Sequence, residues 1–291
     1  MIDLHVHSTR SDGTYTPTEL VDYAMEKELT AFALTDHDTT DGLEEAMTHA
    51  AALRLQLPEN QSSSVPEVIP GIELSTDETG TEVHMVGLFI DRDNTVFRRY
   101  LEEFVESRNN RNKEMCLRFQ AQGIDLTYEA LLARFPDCVL TRAHYARFLM
   151  EHGLVGSTRE AFDRYLGSRC SCYVPRNKIT PAKAVELILT AGGIPILAHP
   201  ILYRLSDARL DALVASLKEA GLVGIEAIYS SYSPSEERQI RRLAKKYNLL
   251  ISGGSDFHGA NKPGLDLGTG YGKLYVPEEI LQNLRAYKHR K

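Results

Sequence analysis

The sequence predicts an α/β fold built on a parallel sheet or barrel, interrupted by an all-helical segment. Three observations carry that reading. Short apolar runs alternate with helical patterns over the first ninety residues. From residue 91 to about 175 the alternation stops, and apolar residues recur at helical spacing. After Pro175 the alternation returns and continues to the end.

The elements follow in order. Residues 2–6 read as a strand. Thr16-Pro17-Thr18-Glu19 opens a helix, with Thr16 as cap, proline in the first turn, and Leu20, Val21, Ala24 and Met25 on the apolar face. Residues 31–34 form the next strand, and Thr40 or Asp41 can cap a helix reaching Leu55. Residues 58–66, polar with two prolines, form a loop before strands at 68–74 and 83–90. In the helical segment the periodic residues are Tyr100, Leu101, Phe104 and Val105, then Tyr128, Leu131 and Leu132, then Tyr145, Phe148 and Leu149. Beyond it come a helix at 181–191, a strand at 194–198, a helix at 205–220 ending on Gly221, and a strand at 223–228. A helix at 234–247, strands at 249–252 and 274–276, and a helix at 277–287 complete the chain. The expected division is a barrel from residues 1–90 and 176–291, with residues 91–175 inserted as a helical cap over its open end.

Composition narrows the function. The 291 residues, 43% hydrophobic and 25% charged, are those of an ordinary globular protein. No apolar run reaches the roughly 20 residues of a membrane span, and the N-terminus lacks the pattern of a secretory signal. The expectation is a cytoplasmic protein without a membrane partner. Four cysteines are too few for a disulfide scaffold, and the pair Cys170 and Cys172 reads as reduced thiols near a loop. The net charge of -7 argues against duplex DNA, which needs a basic face. The helical segment carries 12 Arg and 1 Lys against 12 acidic residues, so it is locally more basic than the rest.

Polar residues fall where such a fold concentrates function. His5 and His7 end the first strand as H-x-H, and alternation places both imidazoles on one face. Asp12 lies in the loop beyond, and His37 follows the second strand. Glu73 sits at the end of the third strand and His84 at the start of the fourth. His199 follows the strand at 194–198, and Asp256 and His258 follow the strand at 249–252 as D-x-H. In parallel barrels the C-terminal strand ends gather at one rim. Alone, His37 or His84 reads as a partly buried histidine, Glu73 as a helix cap and Asp12 as a turn residue. Their common position at strand ends favours a metal cluster. Mixed imidazole and carboxylate ligands suit Zn, Mn, Fe or Ni better than Mg or Ca alone. Nine ligands exceed the needs of one ion and fit two or three.

His5-Val6-His7-Ser8, Thr35-Asp36-His37-Asp38, His199-Pro200 and Ser255-Asp256-Phe257-His258-Gly259 together resemble the motifs of the PHP (polymerase and histidinol phosphatase) family. The resemblance covers nearly the whole chain apart from the helical segment. It implies a distorted seven-stranded β/α barrel and a trinuclear site holding divalent metals, most often Mn2+, with Zn2+ or Fe2+ as alternatives. Residue by residue it assigns His5, His7, Asp12, His37, Glu73 (as bridging carboxylate), His84, His199, Asp256 and His258 as ligands. The helical segment after the fourth strand resembles the branch of nucleoside 3',5'-bisphosphate phosphatases and 5'-to-3' exoribonucleases. A small phosphorylated nucleotide or short single-stranded RNA is the substrate that this implies.

Phosphate ester hydrolysis suits such a centre, since bound metals lower the pKa of water and stabilise charge on the transferring phosphoryl group. Asp38 and His199 are the candidates for proton handling, and Asp36 for orienting a histidine. A second phosphate needs its own pocket. Arg142 and His144, at the start of a predicted helix, are the first candidates, with Arg108, Arg111, Arg176 and Lys178 beside them. Each arginine read singly is a solvated surface charge. Tyr229, Tyr232 and Phe257 are candidates either for stacking on a base or for packing. Three rivals stand beside this reading: a phosphatase for a substrate such as histidinol phosphate, an amidohydrolase, and a metal-binding module without activity. The lack of an obvious strand-end lysine that can be carboxylated argues mildly against the amidohydrolase.

Overall fold

The computed structural model describes residues 1–58, 62–175 and 178–290. Arg176 and residues 59–61 of the expected loop lie outside the described residues. Seven strands form one sheet in sequence order: β1 (Ile2–Val6), β2 (Ala31–Leu34), β3 (Glu67–Glu78), β4 (Thr81–Leu88), β5 (Ile194–Leu197), β6 (Gly224–Tyr229) and β7 (Leu250–Gly254). Helices α1 (Pro17–Glu26) and α2 (Leu43–Gln56) follow β1 and β2. Helices α3 (Thr95–Ala121), α4 (Tyr128–Arg134), α5 (Arg142–Glu151) and α6 (Thr158–Ala161) lie between β4 and β5, and a π turn at Phe162–Leu166 extends the last of them. Helices α7 (Pro181–Thr190), α8 (Asp207–Glu219), α9 (Pro234–Lys246) and α10 (Glu278–Lys288) complete the chain. Among the described residues no helix is long and apolar enough to cross a membrane.

The sheet is not wholly parallel as expected. β3 pairs antiparallel with β4, and β4 antiparallel with β5. The cause is a two-residue hairpin turn, Thr79 at φ 50° and Gly80 at φ 85°. Paired left-handed residues match the twist of the flanking strands, and Gly80 adopts that region without strain. Because β4 runs backwards, its early residue His84 lies opposite Ser75, late in β3. His84, inside β4, thereby comes within 2.9 Å of Glu73, which lies inside β3 rather than at the strand end expected. Two smaller expectations also change. The N-cap of α2 is Gly42, with no side-chain bond from Thr40 or Asp41, and Val276 forms a lone antiparallel bridge to Ile2 rather than a strand.

The seven strands curl into a nearly closed barrel. Closure comes from the segment after β7: His7 N–H donates to Phe257 O at 3.0 Å and Asp256 N–H to His5 O at 2.9 Å. Buried Asp3 reinforces it, accepting from Ser255 N–H at 2.8 Å and Gly268 N–H at 2.9 Å. Gly254 is required here, since a Cβ would stand 2.5 Å from the His5 backbone nitrogen.

Strand alternation divides the core. Phe32, Ile72, Met85, Leu197 and Ile225 pack on one face with α1, α2 and α7 to α9. Their neighbours Ala33, Ile69, Val86 and Ile196 pack on the other with Leu281 and Leu284 of α10. The helical segment has a core of its own around Met115, Phe119, Leu131, Tyr145, Leu149 and Leu166. The first turns of α3 instead bury Phe97 and Leu101 in the barrel's core, so one helix belongs to both.

Candidate metal centre

The nine side chains singled out in the sequence all converge. Their donor atoms form four overlapping groups, each within 4.8 Å: His7, Asp12, His37 and His258; His5, His7 and Glu73; His5, His199 and Asp256; and His37, Glu73 and His84. β1 supplies His5, and His7 follows its last residue, with ring centroids 5.1 Å apart. The loop after it turns back because Asp36 accepts from Ser8 N–H at 2.8 Å, Ser8 Oγ at 2.6 Å and Ser11 Oγ at 2.6 Å. That fold carries Asp12 to the rim. Asp36 therefore shapes a ligand-bearing loop rather than orienting a histidine. His199 and Asp256 adopt left-handed backbone at φ 25° and 57°. Conformations of this kind, sparsely populated outside glycine, concentrate at functional sites.

Glu73 is the hub. Its Oε2 lies 3.2 Å from His5 Nε2, His7 Nε2 and His37 Nδ1 alike. Its Oε1 lies 2.9 Å from His84 Nδ1 and 3.0 Å from His199 Nε2. Asp256 Oδ1 lies 3.3 Å from both His7 Nε2 and His258 Nδ1, and Asp12 Oδ1 lies 3.2 Å from His258 Nε2. All but His37 and His84 are buried.

The donor set fits divalent cations on two grounds. Buried polar atoms are nearly always satisfied. Yet His5 Nε2, both nitrogens of His7, Asp12 Oδ1, His37 Nδ1 and His199 Nδ1 are buried and make no aligned hydrogen bond, although several stand 3.2 Å from an oppositely charged group. The charges point the same way. Burial acts to raise the Glu73 carboxyl, but His37, His5 and His84 hold it well below the usual carboxylate range. Asp12 and Asp256 are held low by comparable neighbours. Burial opposes protonation of His7 and His84, yet adjacent carboxylates push each up to about 9. The centre thus demands positive charge, which protons or cations can supply.

A backing layer was not read from the sequence. Glu226 Oε1 lies 3.1 Å from His5 Nδ1, and its Oε2 accepts from His199 N–H at 2.8 Å. Such a carboxylate fixes the ring and leaves the opposite nitrogen for a metal. Tyr229 Oη donates to Asp256 Oδ2 at 2.6 Å, and Lys262 pairs with the same oxygen. Glu226 carried a usable signal, being a carboxylate in an otherwise apolar strand.

Beside the metal groups opens a cavity of about 220 Å3. Asp12, His37 and His84 line it on the metal side, and Arg108, Arg111, Arg142 and Lys178 line it elsewhere. Arg142 Nη2 pairs with Glu82 Oε2 at 2.6 Å, and Lys178 Nζ lies 2.5 Å from Glu82 Oε1.

Other expected residues are placed differently. His144 accepts from Thr141 N–H at 2.9 Å in a capping box and packs edge-on against Phe135, so its ring serves the helical core. Asp38 is salt-bridged to Arg108 and accepts from Ser75 N–H at 2.9 Å. It borders a separate groove along α3, which suits it to anchoring that helix rather than to carrying a proton. His199 takes a ligand's position against Glu73. Of the aromatic residues, Tyr229 serves Asp256, Tyr232 Oη accepts from Ile201 N–H at 3.2 Å, and Phe257 packs with Tyr15 and Tyr23.

Comparison with known proteins agrees with this geometry. The family model described as PHP domain matches residues 3–168. The chain is 36% identical to the 5'-3' exoribonuclease Rnm of Escherichia coli strain K12 over 96% of its own length and 90% of the relative's. It is 35% identical to the 3',5'-nucleoside bisphosphate phosphatase of Chromobacterium violaceum over 92% and 90%. A solved structure from Bifidobacterium adolescentis, described as a metal-dependent phosphoesterase, superposes with a TM-score of 0.83 at 27% identity, covering 98% of this chain and 95% of the other. Fold, converging side chains and relatives agree: the chain belongs to the PHP domain family, and with it to the metal-dependent phosphoesterases.

Proposed function

We propose that the protein removes the 3'-phosphate from nucleoside 3',5'-bisphosphates, leaving 5'-mononucleotides, and cleaves short 5'-phosphorylated RNA from its 5' end by the same chemistry. One observation carries the choice: the cationic cavity runs directly into the metal groups, sharing Asp12, His37 and His84 with them. A substrate with one phosphate at the metals and a second among Arg108, Arg111, Arg142 and Lys178 fills both. Arginine grips phosphate through paired N–H groups, and lysine adds a point charge.

His5, His7, Asp12, His37, Glu73, His84, His199, Asp256 and His258 would hold two or three divalent ions, Mn2+ in the first place, with Zn2+ or Fe2+ as alternatives. When bound, these ions supply a nucleophile at neutral pH and neutralise charge on the transferring phosphoryl group. Glu73 would be the carboxylate among those residues that meets five of the histidines, with Glu226 behind His5 and with Tyr229 and Lys262 holding Asp256. Residues 91–175 act as a cap that brings Arg108, Arg111 and Arg142 to the barrel. The relatives named as an exoribonuclease and a bisphosphate phosphatase support the same substrate class.

The test is phosphate release by manganese-loaded protein from adenosine 3',5'-bisphosphate, AMP and histidinol phosphate. Conversion of the bisphosphate to AMP, with AMP spared, is expected. Turnover of histidinol phosphate alone would overturn the nucleotide reading.

A further inference from the structure

The cations of the cavity already face an anion of the chain's own. Glu82 is the second residue of β4, just past the Thr79–Gly80 turn. Its carboxylate spans two neighbours: Oε2 accepts from Arg142 Nη2 at 2.6 Å, and Oε1 lies 2.5 Å from Lys178 Nζ. The same Oε1 is 3.4 Å from His84 Nε2, on the metal side of the cavity. Two oxygens held by an arginine and a lysine reproduce the way those groups would take two oxygens of a phosphate. The Glu82 side chain is 37% exposed, and that of Arg142 22%. Lys178 is 13% exposed, so the group is half-open to water, and an incoming phosphate that satisfies both cations can replace the carboxylate.

We propose that Glu82 is a resident counter-anion which the substrate's second phosphate displaces, and that it keeps lone anions out of the seat while weakening the hold on that phosphate. This rests on reading the cavity as the second-phosphate seat. The physical logic is competition. Left unopposed, Arg142 and Lys178 would hold any small anion, free phosphate included. With Glu82 in place, a lone anion must displace a tethered carboxylate. A bisphosphate already anchored at the metals presents its second phosphate at high effective concentration and can do so. The tethered carboxylate thus keeps the seat clear of lone anions that attraction alone would admit.

The test uses the full-length, manganese-loaded protein with two substrates, adenosine 3',5'-bisphosphate and adenosine 3'-phosphate. The ratio of their KM values is read for the unsubstituted protein, Glu82→Gln and Arg142→Gln, with metal content measured in each. Glu82→Gln is expected to shift the ratio about fivefold toward the bisphosphate and to tighten inhibition by inorganic phosphate. Arg142→Gln is expected to shift the ratio the other way. A Glu82→Gln ratio that stays put or moves with Arg142→Gln overturns the role given to Glu82, as does loss of metal with the ratio unchanged, which would make Glu82 a support for His84. An Arg142→Gln ratio that does not move overturns the second-phosphate seat itself, and the inference with it.

Discussion

The Thr141 hydroxyl donates to Asp12 Oδ2 at 3.0 Å, so a residue of the helical segment steadies a candidate metal ligand of the barrel. The same oxygen accepts from Ala143 N–H at 3.2 Å at the start of α5, the helix that begins with Arg142. Val139 N–H donates to Arg10 O at 2.9 Å and ties the two segments again nearby. One hydroxyl thus joins the metal side of the cavity to its cationic side. Thr141→Val keeps the shape and removes both bonds. Loss of the cap should cost about 1 kcal/mol, seen as a lower denaturant midpoint. Metal content after dialysis should fall, and Thr141→Ser should restore both. Full metal occupancy in Thr141→Val would remove Thr141 from the centre's support.

Glu226 answers for the orientation of His5 and the position of His199. Glu226→Gln keeps an acceptor but removes the charge that steadies the ring, and it risks turning an NH2 group toward His199 N–H. Replacing a carboxylate behind a ligating histidine commonly weakens metal binding about 10- to 100-fold. Titration of Mn2+ into chelator-treated protein should show a loss in that range. An unchanged dissociation constant would mean that the barrel backbone alone positions His5.

Much of this site was legible in the sequence, and the limits have physical causes. H-x-H and D-x-H spacings survive because local backbone decides which face a side chain takes. His5 and His7 needed no knowledge of their partners. Glu73 and His84 were found for a partly wrong reason: strand alternation suggested a parallel sheet, whereas the Thr79–Gly80 turn reverses β4. Glu226 stands out as the one carboxylate of an apolar strand, but its partner is 221 residues away, so no local pattern names its role. His144 misled in the opposite way. Its place beside Arg142 at a helix start suggested an anion site, but the N3 position of a capping box turns its ring back on its own helix.

Arg108 and Asp38 form a nearly buried pair, their side chains 7% and 1% exposed, between α3 and the loop after His37. Ser75 Oγ lies 3.3 Å from Arg108 Nη2 and is a neutral partner to that nitrogen. Breaking a buried pair from one side costs about 3–5 kcal/mol, because the remaining charge stays desolvated. Asp38→Asn should lose stability in that range by urea unfolding, and activity should fall with it as α3 loosens over the cavity. A stable Asp38→Asn protein with a displaced pH–rate profile would instead return Asp38 to proton handling.

His144 should make stability depend on pH. Burial, with Arg108 and Arg147 adding to it and Asp12 opposing, pushes its imidazole down to about 4 from the ordinary 6.5. Its Nδ1 already accepts from Thr141 N–H, so protonation would also break the capping box. The folded state therefore resists a proton that the unfolded chain accepts. The sign follows: stability is unaffected by this group above about pH 6.5, declines as pH falls from there to about 4, and levels off below, where both states are protonated. The full loss approaches about 3 kcal/mol. Urea unfolding of chelator-treated protein between pH 4 and 8, compared with His144→Asn, isolates the effect, since the remaining histidines titrate in both. The variant's curve should be flatter by that amount. Parallel curves would mean that His144 takes up its proton in the folded state as readily as in the unfolded one.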